Sequence, residues 1–322
     1  MDNSYISELW RVLKFMEIGN VRVGVLILNY KTFSNTVTCM ESILKNSSAK
    51  TDVEILIVDN CSPNESYEYL SNLIKTGKYK NVSIVKTEHN GGYSYGNNFG
   101  LTEIKKRGID YCIVTNNDVV FHNNSISEMI APLRADAKRV LVVPKVLNSN
   151  GNVTSLPTIK KRKILKWVVG GADGKNAYRK DQASNVYSFS GCCFACNVKL
   201  MAQIGMFDEN VFLYCEEAIL SKKIADAGYS IYYAPEAVIT HFHGVTTGKC
   251  SAFVDSEYSK SLLYYLSEYE NVRIRLWGIK RLLILKIRLK ALLSKYSDKD
   301  KLTSYIKQIN LKYRQIKNGG NH

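Results

Sequence analysis

The chain has 322 residues, 45% of them hydrophobic, and a formal net charge of +15. That is enough apolar material for one large domain with a full core plus an appendage, and it excludes a disordered or fibrous chain. The charge suits a nucleic acid, a membrane surface or an anionic small molecule, but residues 273–317 hold 14 Lys or Arg against only Asp298 and Asp300, so +12 of the +15 lies there.

The first twenty residues, MDNSYISELWRVLKFMEIGN, lack a basic start, an apolar core and a small-residue cleavage site, so a cytoplasmic location is expected rather than secretion. Most of the eight cysteines sit in apolar segments, as do Cys112, Cys192 and Cys193, where reduced, buried thiols are expected. Cys193 and Cys196 form a C-x-x-C, but no second pair with zinc spacing accompanies it.

VRVGVLILNY (21–30) is an apolar run ending in polar residues, and the spacing of Val37, Met40, Ile43 and Leu44 predicts a helix from about Ser34 to Lys45. VEILIVDN (53–60) repeats the strand pattern before a helix from about Glu65 to Lys75. NVSIVKTEHN (81–90) predicts a third strand, a glycine-rich loop leads to a helix near Tyr95 to Arg107, and YCIVTNND (111–118) predicts a fourth strand. Nearly apolar strands alternating with helices indicate a parallel sheet covered on both faces.

Residues 144–188 are less regular, with a basic patch KKRKILK (160–166) and Gly170-Gly171, and are expected to form loops around a site. SFSGCCFACN returns to strand character, and the segment that follows reads as helix, loop, acidic helix start and strand. After about Ser256 the composition changes to helices rich in Leu, Tyr and basic residues.

Ligands bind such sheets beyond the carboxyl ends of the strands. Four polar clusters lie there: Asn29-Tyr30, Asp59-Asn60, Asn90-Gly91-Gly92 and Asn116-Asn117-Asp118. Polar loops occur at these places in any α/β protein, and Asp118 alone could cap a helix; four at successive strand ends argue for a shared pocket. A carboxylate at such an edge suits a hard cation shared with a diphosphate. HNGGYSYGNNFG (89–100) adds glycines that let a backbone approach a ligand, but it is not G-x-G-x-x-G, and no P-loop motif occurs.

Taken in order, Leu28-Asn29-Tyr30, Val58-Asp59-Asn60, Asn90-Gly91-Gly92 through Asn98 and Gly100, Thr115-Asn116-Asn117-Asp118, Gly205-x-Phe207-Asp208, Tyr214-Cys215-Glu216-Glu217 and His241 resemble the family 2 glycosyltransferases of GT-A fold. The nearest likeness within that family is to bacterial transferases that assemble polysaccharides, including rhamnosyltransferases. The resemblance implies an α/β fold, a Rossmann-like, mostly parallel nucleotide-binding sheet over residues 21–250, between an N-terminal segment (1–20) and a basic helical C-terminal extension (251–322).

The resemblance also implies roles. Asp59 matches the acid that reads the pyrimidine of a UDP- or dTDP-sugar, Asn29 and Tyr30 line the base pocket, and Asn60, Gly91, Gly92, Asn98, Asn116 and Asn117 belong to the nucleotide-sugar site. Asp118 and His241 are the implied contacts for Mn²⁺ or Mg²⁺. Glu216-Glu217 matches the family's acid pair at the catalytic position, whose second member, Glu217, is the general base that takes the acceptor hydroxyl's proton in an inverting displacement. Two acids there also suit a helix N-terminus, whatever their chemistry. The chain departs from the family pattern at Asn116, which replaces the first aspartate of D-x-D, at Glu217, one methylene longer than the usual aspartate, and at Ile219, where another aspartate is common.

RIRLWGIKRLLILKIRLKALLSK (273–295) carries too many cations for a transmembrane span. Leu276, Ile279, Leu283 and Ile287 form one helical stripe, Arg281, Arg288 and Lys295 recur at heptad spacing, and Trp277 suits an interface. Two readings stand: a helix lying on the inner membrane surface, useful for a lipid-linked saccharide acceptor, or a helical appendage packing on the catalytic domain or in a homo-oligomer. Nucleic acid is not expected as a partner, because no recognition module accompanies the charge. A catalytically weak binding or scaffold protein is the alternative to an enzyme, motivated by Asn116 and Glu217.

Overall fold

The computed structural model describes residues 21–47, 51–169, 180–242, 251–293 and 296–319. The N-terminal segment 1–20, Gly170-Gly171 and Lys295 lie outside the described residues.

In chain order the elements are β1 (Val21–Asn29), α1 (Phe33–Asn46), β2 (Thr51–Asp59), α2 (Ser66–Lys75), β3 (Val82–Lys86), α3 (Gly92–Lys106), β4 (Tyr111–Asn116), β5 (Val119–Phe121), α4 (Ser125–Arg134), β6 (Arg139–Leu147), β7 (Val153–Thr154), α5 (Ile164–Val169), β8 (Ser184–Val186), β9 (Cys193–Asn197), α6 (Val198–Gln203), α7 (Glu216–Asp226), β10 (Ser230–His241), α8 (Ala252–Glu268), α9 (Leu276–Leu292) and α10 (Leu302–Lys317). The sheet runs β3-β2-β1-β4-β9-β6-β10-β5. β3, β2, β1 and β4 are mutually parallel, as are β6 and β10, whereas β9 is antiparallel to both its neighbours and β5 is antiparallel to β10.

Strand alternation divides the core. Val23, Val25 and Ile27 of β1 pack on the face covered by α1 and α4, while Leu26 packs on the opposite face with α3 and α6. Each such side chain, taken wholly out of water, contributes about 1.5–3 kcal/mol. Cys193 and Cys196 fall on opposite faces of β9, so their C-x-x-C spacing does not bring the two thiols together.

Helix α3 starts three residues before the expected Tyr95. Gly92 adopts φ +88°, its N–H is accepted by the Asn90 side chain at 3.1 Å, and a Cβ there would stand 2.1 Å from the Phe212 carbonyl oxygen. Only glycine fits that turn into the helix.

The C-terminal helices form a third apolar layer rather than a detached appendage. Leu262, Leu263 and Leu266 of α8, Leu283 and Ile287 of α9 and Ile309 of α10 share a cluster with Cys215, Ala218 and Ile219 around the start of α7. Asp208 adds a polar tie by accepting the Tyr264 and Tyr269 hydroxyls at 2.9 and 2.6 Å. Ile219, which departs from the family pattern, is buried in this layer, where a carboxylate would lose hydration without a partner.

Candidate active site

The carboxyl ends of β1, β2 and β4, the start of α3, the approach to β5 and the end of β10 surround a cleft of about 640 Å³. Tyr30, Asn60, Asn90, Gly92, Asn116, Asn117, Asp118, Glu216, Glu217 and His241 line it. Residues separated by more than 200 positions in the chain therefore meet at one edge of the sheet.

Four expected contacts, Asn29, Asp59, Asn98 and Gly91, do not line it. Asn29 and Asp59 are directly paired in the parallel β1/β2 register, so their side chains leave the same face of the sheet, beneath the cleft. Both are fully buried. The Asn29 amide donates to Asp59 Oδ2 at 2.7 Å, Ser62 N–H donates to Oδ1 at 2.8 Å, and Asn29 Oδ1 accepts from Thr36 and Asn117 at 2.7 and 3.1 Å. Asp59 thus anchors a buried network with Asn29, Ser62 and Asn117 and does not itself line the cleft. Asn98 is also turned away: its side chain clamps Phe207, donating to the carbonyl at 3.0 Å and accepting the N–H at 3.0 Å. Gly91 abuts Tyr95, whose ring a Cβ would strike, and sits behind Asn90 and Gly92 at the cleft edge.

Asn60 lines the cleft with its side chain committed inward, donating to the Gly92 carbonyl and Asn90 Oδ1 and accepting from Thr87. It couples the β2 end to the glycine turn, while Tyr30 contributes a ring to the wall.

Asp118 and His241 are brought together by the antiparallel pairing of β5 and β10, in which His241 lies opposite Val119. Asp118 Oδ1 and His241 Nε2 are 3.1 Å apart. Burial works against a charged imidazole here, but hydrogen bonds to Asp118 and Cys192 win and raise its pKa to about 10. Among the described residues no group of three or more His, Cys, Asp or Glu could hold a metal. One carboxylate and one imidazole at the cleft wall fit a divalent cation that would displace the His241 proton and take its remaining ligands from diphosphate and water oxygens, not a cation held by protein alone.

Glu216 and Glu217 occupy the first turn of α7, reached through Tyr214 and Cys215, both left-handed at φ +71° and +68°. Two successive non-glycine residues in that region are costly and are held by the surrounding layer. Burial, then the Glu217 charge, pushes Glu216 up to about 8; burial also raises Glu217, although backbone N–H groups, including that of Gly191, favour its ionised form. The helix N-terminus stabilises both charges without offsetting their desolvation.

Glu217 stands where two cavities meet. Beside the cleft lies a second hollow of about 350 Å³, lined by Trp167, Tyr187, Tyr258 and Tyr265 with Lys161 and Arg162, and the two share Ser190, Tyr214 and Glu217. Gly191 N–H donates to Glu217 Oε1 at 3.0 Å, and Tyr93 hydroxyl donates to the Gly191 carbonyl at 2.6 Å. Neither Gly191 nor Tyr93 was expected from sequence; the glycine just before the Cys192-Cys193 strand was the one available signal.

A mostly parallel α/β sheet with its polar cleft at the carboxyl edge has the GT-A fold. The chain belongs to glycosyl transferase family 2, whose profile matches residues 24–205. It is 24% identical over 251 residues to the N-acetylglucosaminyl-diphospho-decaprenol L-rhamnosyltransferase of Mycobacterium tuberculosis, covering 71% of this chain and 80% of that protein. Among solved structures, GalNAc-T7 with UDP, GalNAc and Mn²⁺ superposes with TM-score 0.60 at 17% identity, over 92% of this chain; the chain spans 56% of that longer protein. The mannosyltransferase PcManGT from Pyrobaculum calidifontis, in complex with GDP-Man and Mn²⁺, superposes with TM-score 0.56 at 14% identity, over 92% and 87% of the two chains.

Proposed function

We propose that this protein is a metal-dependent inverting glycosyltransferase that moves a sugar from a UDP- or dTDP-sugar, with rhamnose a candidate, to a saccharide or lipid-linked saccharide in bacterial surface polysaccharide synthesis. The observation that carries the reading is Glu217 at the junction of the two cavities. The larger cleft takes the nucleotide sugar and the aromatic hollow takes the acceptor, whose ring faces stack on Trp167 and the tyrosines.

In the transfer, the acceptor oxygen attacks the anomeric carbon as the bond from that carbon to the diphosphate oxygen breaks, inverting the configuration. Glu217 accepts the hydroxyl proton, and the nucleoside diphosphate leaves with the bonding pair. Gly191 N–H orients Oε1, and Tyr93 holds Gly191 in place. Asp118 and His241 would hold Mn²⁺ or Mg²⁺, which when bound supplies Lewis-acid stabilisation of charge on the departing diphosphate. Asn116 supplies no second carboxylate beside Asp118, so Asp118 and His241 would hold the cation with one protein negative charge only. Asp59 and Asn29 act as positioning residues beneath the nucleotide site.

The donor reading is tested by calorimetric titration with UDP, dTDP and GDP, each with and without Mn²⁺, followed by turnover of the sugar nucleotide that the preferred diphosphate designates. Manganese-dependent binding of one pyrimidine diphosphate, followed by turnover with an acceptor, is expected. Tight binding without turnover across an adequate acceptor panel would support the scaffold reading, and no binding by folded protein would remove the donor site.

A further inference from the structure

Helix α9 has two apolar faces, and only one of them is packed. The stripe singled out in the sequence, Leu276, Ile279, Leu283 and Ile287, faces inward: Leu276, Leu283 and Ile287 are buried in the third layer, with Ile279 packed against it. On the opposite side Leu282, Leu285, Leu289 and Leu292 are 56%, 52%, 50% and 79% exposed. Their spacing of three, four and three residues puts them in one line at 100° per residue. Trp277 is exposed on the flank of that line near the helix start, and seven of the eleven exposed large hydrophobic residues among the described ones fall within 274–293. The other four, Tyr69, Ile159, Phe242 and Leu311, are scattered along the chain. A concentration of this kind marks an interaction surface.

The charges on the same face indicate what covers it. Arg281 lies 3.9 Å over the Trp277 ring, and both Arg281 and Arg288 are exposed beside the leucine line. No described helix is long and apolar enough to cross a membrane. We propose that α9 lies in the plane of an anionic bilayer surface, its outer leucines among the acyl chains and Arg281 and Arg288 at the lipid phosphates, with Trp277 at the interface. A second copy of the chain is a poorer occupant, because opposing two such faces would set the arginines of one against those of the other within a segment that carries +12 of the net charge. Anionic headgroups complement both features at once.

The surface is mounted on the same helical layer as the second cavity, since Ile164 and Trp167 of α5 pack into the cluster that contains the inner face of α9. The inference deepens the lipid-linked-acceptor reading, on which it rests for its use: a helix on the bilayer would hold the aromatic hollow beside a membrane-borne substrate.

The test is sedimentation of the full chain with phosphatidylcholine vesicles containing or lacking phosphatidylglycerol, for the wild type, Leu285→Ser/Leu289→Ser and Arg281→Ser/Arg288→Ser. Binding confined to phosphatidylglycerol vesicles is expected, weakened roughly tenfold or more by either double substitution. All three proteins should keep the same circular dichroism and the same calorimetric titration with nucleoside diphosphate. Absence of binding by folded wild type, or binding that both variants retain in full, overturns the proposal. So does a lipid-free dimer in sedimentation equilibrium that the leucine substitutions dissociate, which would assign the face to a second copy. Loss of nucleotide binding in the wild type would instead strike the donor reading and leave the vesicle result standing.

Discussion

Gly191 and Glu217 are fitted to one another: the glycine N–H donates to Glu217 Oε1 at 3.0 Å, and a Cβ on Gly191 would lie 2.6 Å from that same oxygen. Gly191→Ala therefore displaces the carboxylate that sits between the two cavities while leaving the nucleotide cleft formed. Transfer should fall about 100-fold, in line with the cost of misplacing a reacting group by an ångström, with nucleotide diphosphate affinity unchanged. Steady-state rates beside calorimetric titration check this; full activity in Gly191→Ala would show that Glu217 needs no such seat.

Glu217→Gln removes the proposed base and keeps the shape. Its kcat should drop by roughly 10²–10⁴-fold, the usual contribution of a positioned general base, with donor binding retained. In the wild type the proposed base must be ionised, and burial raises Glu217. The rate should therefore climb with pH along a limb displaced above the ordinary carboxylate range, reporting the Glu216-Glu217 pair rather than either acid alone. A pH profile of kcat/KM that is already flat at the ordinary carboxylate range would contradict this.

Much of this arrangement was legible in the chain because strands buried on both faces read as apolar runs, and the polar residues ending those runs mark the ligand edge. VRVGVLILNY and YCIVTNND are plain examples. The direction of Asn29 and Asp59 was not legible, since it depends on the β1/β2 register that pairs them on the face covered by α1. The Tyr93-Gly191 contact joins residues 98 positions apart, which no local pattern reveals. On α9 both the Leu283 and the Leu285 lines are apolar, and only packing against α8 and α10 decides which turns inward.

Glu216 makes stability depend on pH. Its carboxyl titrates near 4.5 when unfolded and is pushed up to about 8 in the fold by burial and the Glu217 charge. The folded state binds that proton more tightly, so the stabilisation is fully present below the unfolded value and is lost as pH rises from 4.5 toward 8. Glu216→Gln should remove this loss, making the variant's advantage in Tm over the wild type grow between those limits. Melting curves at acidic, neutral and mildly alkaline pH check it; an advantage that shrinks as pH rises would refute the burial argument.

Asp118 and His241 form the wall at which the leaving diphosphate is expected. In Asp118→Ala the 3.1 Å contact to His241 is gone, together with the one carboxylate that the Asn116-Asn117-Asp118 turn offers. Transfer should fall by at least 10²–10³-fold, the scale seen when a group that stabilises transition-state charge is deleted. The nucleotide's affinity should become indifferent to Mn²⁺, because His241 alone is a single ligand. Asp59→Asn provides the contrast: it lies outside the cleft lining, and its single amide oxygen replaces only one of the two acceptors used by Asn29 and Ser62, so it should loosen the buried network and weaken nucleotide binding while leaving the Mn²⁺ dependence intact. Titrations of both variants with and without Mn²⁺ separate the two roles. Mn²⁺-dependent binding that survives in Asp118→Ala would move the cation away from this wall.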